Sequence, residues 1–121
     1  MENLMYFDRR ELPPHAEPVS STDLKAGDVY FAVNYVDDEM LFPLVETLVF
    51  VGRNLEPGDV GRVYFQDIES YREGVKYGAH LEDDWAKFEV GSESDLSHIF
   101  SFERALEVLM RCSLRRKARG I

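Results

Sequence analysis

Cysteine is all but missing from this sequence: Cys112 stands alone among 121 residues. An internal disulfide is excluded, as is a zinc site built on several thiolates, and a reducing compartment fits. Nowhere does an apolar run approach the roughly 20 residues that a membrane-spanning helix needs. The opening Met1-Glu2-Asn3-Leu4 lacks the basic and apolar regions of an export signal, and no Asn-X-Ser/Thr sequon occurs. A cytoplasmic protein with no membrane partner is the expectation.

Catalytic and cofactor signatures are missing as well. The three histidines, His15, His80 and His98, form no zinc-binding spacing. His80 with Glu82, Asp83 and Asp84 lacks the alternating oxygen ligands around a glycine that a calcium loop needs, so a solvated acidic turn is expected. Gly52, Gly58 and Gly61 precede a strand and no Gly-Lys-Ser/Thr follows them, which excludes a phosphate-cradling loop at a helix start. No nucleophile elbow surrounds a serine, and Cys112 sits on the apolar border of a helical pattern, where an inert buried thiol is expected. Neither a cofactor nor a metal is predicted.

Negative charge is absent from one end only. All twenty-three Asp and Glu and nine of the fourteen Lys and Arg lie before residue 111, a balance of −14, whereas residues 111–121 carry +5. An acidic body repels nucleic acid over most of its surface but attracts a basic protein partner, so nucleic acid is not the expected ligand. Arg115, Arg116, Lys117 and Arg119 read first as compensation for a helix C-terminus. An alternative places Arg115, Arg116 and Lys117 against Asp83 and Asp84 of a second copy.

What is present describes an α+β domain. Residues 1–27 hold Pro13, Pro14, Pro18 and Ser20-Ser21-Thr22-Asp23, an irregular arm that Met5, Tyr6 and Phe7 could pin over the domain at 28–121. Strands are predicted at 29–36, 44–51, 62–66 and 85–90, with turns at Asp37-Asp38-Glu39 and at Pro57-Gly58. Asp67 caps a short helix that Gly74 or Gly78 stops. Ser101 opens a helix over 102–117 whose Phe102, Ala105, Leu106, Leu109 and Met110 share one apolar face, with Phe102, Leu106 and Leu109 as its anchors. The pattern predicts an antiparallel meander of about four strands with the terminal helix on one face, or alternatively a small SH3-like half-open barrel.

Hairpin pairing centred near Met40 and on Glu56-Pro57 sets Tyr30 by Phe50, Ala32 by Leu48, Asn34 by Glu46, Phe50 by Val63, Leu48 by Phe65 and Glu46 by Asp67. One face then ends in Asn34, Glu46 and Asp67. Glu46 is the singular residue, a carboxylate in an apolar strand that must face water, pair with Arg62 or Arg72, or have its pKa raised. Tyr64, Tyr71, Tyr77 and Trp85 add aromatic rings with polar tips, suited to packing or to recognition. The leading function is a non-enzymatic binding protein, of regulatory, inhibitor or immunity type, whose sites draw on Asn34, Glu46 and these aromatics. The alternative is a small hydrolase or isomerase with Glu46 or Asp67 as base in a tyrosine-lined pocket. A homodimer is expected if the helix leaves an apolar sheet face bare.

Overall fold

The computed structural model describes residues 16–78 and 85–121. A short 3-10 turn, Ser21–Asp23, precedes strands β1 (Val29–Tyr35), β2 (Pro43–Arg53) and β3 (Arg62–Asp67), helix α1 (Ile68–Arg72), strands β4 (Phe88–Ser92) and β5 (Ile99–Phe100), and helix α2 (Phe102–Arg119). The strands form one antiparallel sheet in the order β4-β3-β2-β1-β5, open at its two edges. This is the α+β meander with one strand more than expected. A two-residue strand such as β5 is too short to show a period in sequence. Among the described residues no helix is long and apolar enough to cross a membrane.

Both hairpins differ from the expected register by two residues, and turn chemistry explains why. The Asp37 carboxylate accepts the N–H groups of Leu41 and Phe42, and Val36 N–H donates to Phe42 O, so the first turn centres on Glu39. Tyr30 therefore faces Leu48, Ala32 faces Glu46 and Asn34 faces Leu44. The second turn pivots on Pro57-Gly58, where Gly58 takes φ 85° and Asp59 N–H bonds Glu56 O. Next to this turn Arg53 faces Val63, three residues off, and a bulge between Phe50 and Gly52 brings the offset back to two, so Phe50 faces Phe65 and Leu48 faces Asp67. Outside the bulge and the turn beside it, a slip of two keeps each side chain on its predicted face. Asn34, Glu46 and Asp67 thus share a face, but Glu46 does not oppose Asp67.

Strand β4 begins three residues later than the expected 85–90 and runs on through Gly91. Its partner β3 turns into α1 after Asp67, so ladder partners exist only from Phe88 opposite Gln66 onward. The Asp67 carboxylate accepts Ser70 N–H at 2.9 Å, and α1 stops before Gly74 at φ 86°. Trp85 and Ala86 stay outside the sheet.

One face of the sheet, here the arm face, carries Tyr30, Ala32, Leu48, Phe50, Val63, Phe65 and Ile99, all buried. Irregular chain covers it: Leu24 and Val19 from one side and Leu96 from the β4–β5 connection. Val19 N–H donates to Ile99 O, and the Tyr30 hydroxyl links Asp23 O to Lys25 N–H. The opposite helix face is covered over β1 and β5 by α2, and over β3 and β4 by residues 68–78.

Helix α2 lies rotated from the orientation its strongest stripe suggested. Ala105, Val108 and Cys112 face Val33 and Phe100, while Leu106 and Leu109 are half-buried and Phe102 is 63% exposed, its ring in edge contact with Phe31. At 100° per residue this is a turn of roughly a quarter of a revolution. Two apolar rows overlap in the helix, and the row with the smaller side chains allows the closer approach to the sheet. Phe102, Leu106 and Leu109 are therefore not the anchors.

The basic segment is held within the fold. Arg115 Nε donates to Met40 O at 2.9 Å, Arg116 Nη1 to Leu41 O at 2.7 Å, and Arg119 pairs with Glu39 at 2.6 Å. Gly120, at φ 74°, ends the helix. Met5, Tyr6, Phe7, His15, His80, Glu82, Asp83 and Asp84 lie outside the described residues.

Candidate functional site

The carboxylates proposed from sequence separate into two kinds. Asp67 caps α1 and also accepts Ser70 Oγ at 2.6 Å and Lys87 N–H at 2.8 Å. Burial pushes its pKa up, but the hydrogen bonds from Ser70 and Lys87 outweigh burial and hold it below the usual carboxylate range. A carboxylate with its acceptor sites filled and its proton affinity lowered is a poor base, so the role of Asp67 is to join β3, α1 and β4.

Glu46 is half-buried and faces Ala32 across the first hairpin. Its neighbour is neither Arg62 nor Arg72 but the carboxyl of Glu89, within hydrogen-bonding reach on the arm face. Partial desolvation of the Glu89 carboxyl, followed by the hydrogen bond and negative charge of Glu46, raises its pKa above the ordinary value. No Lys or Arg among the described residues forms an ion pair with either group. Glu89 was missed in sequence because it reads as an ordinary outward residue of a short alternating strand. Their strands, β2 and β4, are brought to either side of β3 only by the sheet order.

Glu89, though not Glu46, lines a groove of about 370 Å³. Val63, Phe65, Leu96 and Ile99 make its floor, all buried, and Glu89, Asp95 and His98 stand along it. Asn34, exposed, lines an adjoining hollow that it shares with His98 and Met40. An apolar floor with a carboxylate rim suits a ligand with a hydrocarbon stem and a cationic head.

The four aromatics do not form one site. Tyr64 is buried on the helix face and donates to Asp59, while Tyr77 donates to Glu56 at 2.6 Å and stacks edge-on between Tyr64 at 5.0 Å and Phe88 at 5.3 Å. Hydrogen bonding to those carboxylates, with burial second, raises both phenol pKa values. The two rings fasten the Pro57-Gly58 turn to the segment after α1. Tyr71 and Trp85 are exposed on either side of α1: Tyr71 lines a cavity of about 550 Å³ with Val51, Leu55, Val75 and Tyr77, and Trp85 borders a polar hollow with Glu69 and Arg72. The tyrosine-lined cavity contains neither Glu46 nor Asp67. Carboxylate base and aromatic pocket, which the catalytic alternative needs together, lie on opposite faces of the sheet.

Among the described residues no three His, Cys, Asp or Glu side chains gather as a metal set, and Cys112 is buried. No family model, curated protein or solved structure matches the chain.

Proposed function

We propose that this is a non-enzymatic interaction protein that receives a basic segment of a protein partner on the arm face. The observation that carries the reading is Glu89, which lines an apolar groove and interacts with Glu46, with no described cation against either. Bringing two carboxylates together is unfavourable in the free protein, and a Lys or Arg head placed between them relieves the repulsion while its methylenes lie on Phe65 and Ile99. The acidic charge of the body steers such a partner at long range. The reading extends to self-association, for which exposed Val29, Val45, Phe102 and Leu114 offer apolar area. The lone cysteine is compatible with a cytoplasmic setting.

The test is co-purification from the native cell at low and high salt, with the parent and the Glu46→Gln/Glu89→Gln double variant. The expected result is a basic partner retained by the parent at low salt, released as salt shortens the Debye length, and lost from the double variant. A partner retained equally by both proteins would reject the groove as the binding site.

A further inference from the structure

Strand β4 ends the sheet on one side, and among the described residues it pairs with β3 alone. Asp67 N–H donates to Lys87 O and Glu93 N–H to Gly61 O, so the hydrogen-bonded pairs of this antiparallel ladder fall at Lys87, Glu89, Gly91 and Glu93. Phe88 and Val90 therefore turn their N–H and C=O groups away from β3, toward the open edge. Ser92 turns the same way, but its O accepts Asp95 N–H. Glu89 and Val90 are exposed beside these groups. The Phe88 and Val90 side chains belong to the helix face, while Glu89, opposite Phe65, and Gly91, opposite Val63, belong to the arm face. A Cβ at Gly91 would have Val63 Cγ2 at 4.0 Å and no other neighbour as near, so the glycine leaves a gap in the edge that opens onto the groove lined by Val63, Leu96 and Asp95.

We propose that the basic segment of the partner binds as an extended strand, antiparallel to β4, in which Lys or Arg alternates with apolar residues. The proposal rests on the reading above and names the segment's conformation and pattern. Phe88 and Val90 supply the backbone hydrogen bonds, and an apolar residue opposite each of them continues the helix face. The residues between point to the arm face, one opposite Glu89 and one opposite Gly91. Because Phe88 and Val90 form the hydrogen-bonded pairs of the new ladder, the residue opposite Glu89 sits in the closer kind of pair, where a cation meets the carboxylate directly. A cation opposite Gly91 passes its methylenes through the gap, along Val63 and Leu96, toward Asp95. Lys87 stands on the same face at the other end of the ladder and repels a further cation there, which limits the basic positions to these two. Charge complementarity with Glu89 and Asp95 selects a basic strand as the occupant.

NMR titration of the full chain at low salt, with a capped synthetic peptide of alternating lysine and valine, tests this. Slowed hydrogen exchange at the Phe88 and Val90 amides is the expected result. N-methylation of the valines removes the donors that face β4 and keeps every charge, and it should weaken binding about tenfold or more. Val90→Pro removes an outward donor without entering the β3 ladder and should weaken it likewise. An N-methylated peptide that binds as tightly as its parent overturns the edge pairing and leaves the basic-partner reading standing. An uncharged threonine-valine peptide that binds as tightly as the lysine one overturns both. Unchanged exchange at the two amides overturns the proposal whatever the co-purification finds. A dimer of the free protein that Val90→Pro dissolves gives the edge to a second copy and overturns it as well.

Discussion

The two faces of the sheet are closed by different kinds of chain. The arm face is covered by residues 19–24 and by the β4–β5 connection, which together contain one 3-10 turn, yet it holds the larger continuous apolar cluster. The helix face has the 18-residue α2 and still leaves Val29 and Val45 in water. A straight helix meets a twisted sheet along a single line, while irregular chain can follow the twist and fill it from both sides. Regularity of a covering element is thus no measure of how much it buries.

The contrast breaks most easily in the cores. Phe65→Ala on the arm face should cost about 3–5 kcal/mol, and Val108→Ala under α2 about 2 kcal/mol. Leu106→Ala, half-buried on the helix flank, should cost about 1 kcal/mol or less. Urea denaturation ranks the three, and a Leu106→Ala loss equal to that of Phe65→Ala would mean that α2 is the main source of burial.

Smaller effects separate the two kinds of carboxylate. Asp67→Ala should lose about 1–2 kcal/mol at neutral pH, the value of an N-cap. Because the folded pKa of Asp67 is lowered, its contribution is present above the unfolded value of about 3.9 and disappears as pH falls through the folded value. Variant and parent should therefore converge in acid.

Glu89 has the opposite sign. Its folded pKa is raised, so stability is complete below the unfolded value of about 4.3 and declines as pH rises through the folded value. Glu89→Gln should raise the melting temperature slightly at pH 7 and have no such effect in acid. A melting temperature that falls at pH 7 would mean that Glu89 is paired with a cation and would sever it from Glu46.

Much of the fold was legible because its signals are local. Asp67 as a cap, Pro57-Gly58 as a pivot and the apolar run of β2 each state their conformation within a few residues. The hairpin registers were not legible, because they depend on which N–H groups the Asp37 side chain takes and on the bulge at Gly52. The orientation of α2 was hidden by two overlapping apolar rows, of which the sheet selects the less bulky. Glu46 stands out in the sequence as an anomaly of its strand, but its neighbour Glu89 lies 43 residues on and is joined to it only by the path of the sheet.

Arg115 and Arg116 bond carbonyls 75 residues away, at Met40 and Leu41. The first hairpin can close by itself with a short loop, whereas this clasp forms only after α2 has docked across a long one. A contact made late in folding is also broken early in unfolding, so its removal changes lifetime more than speed of assembly. Stopped-flow measurements on Arg116→Ala should find faster unfolding with an unchanged folding rate. Seen in time, the basic segment is a latch that sets how long the native state persists.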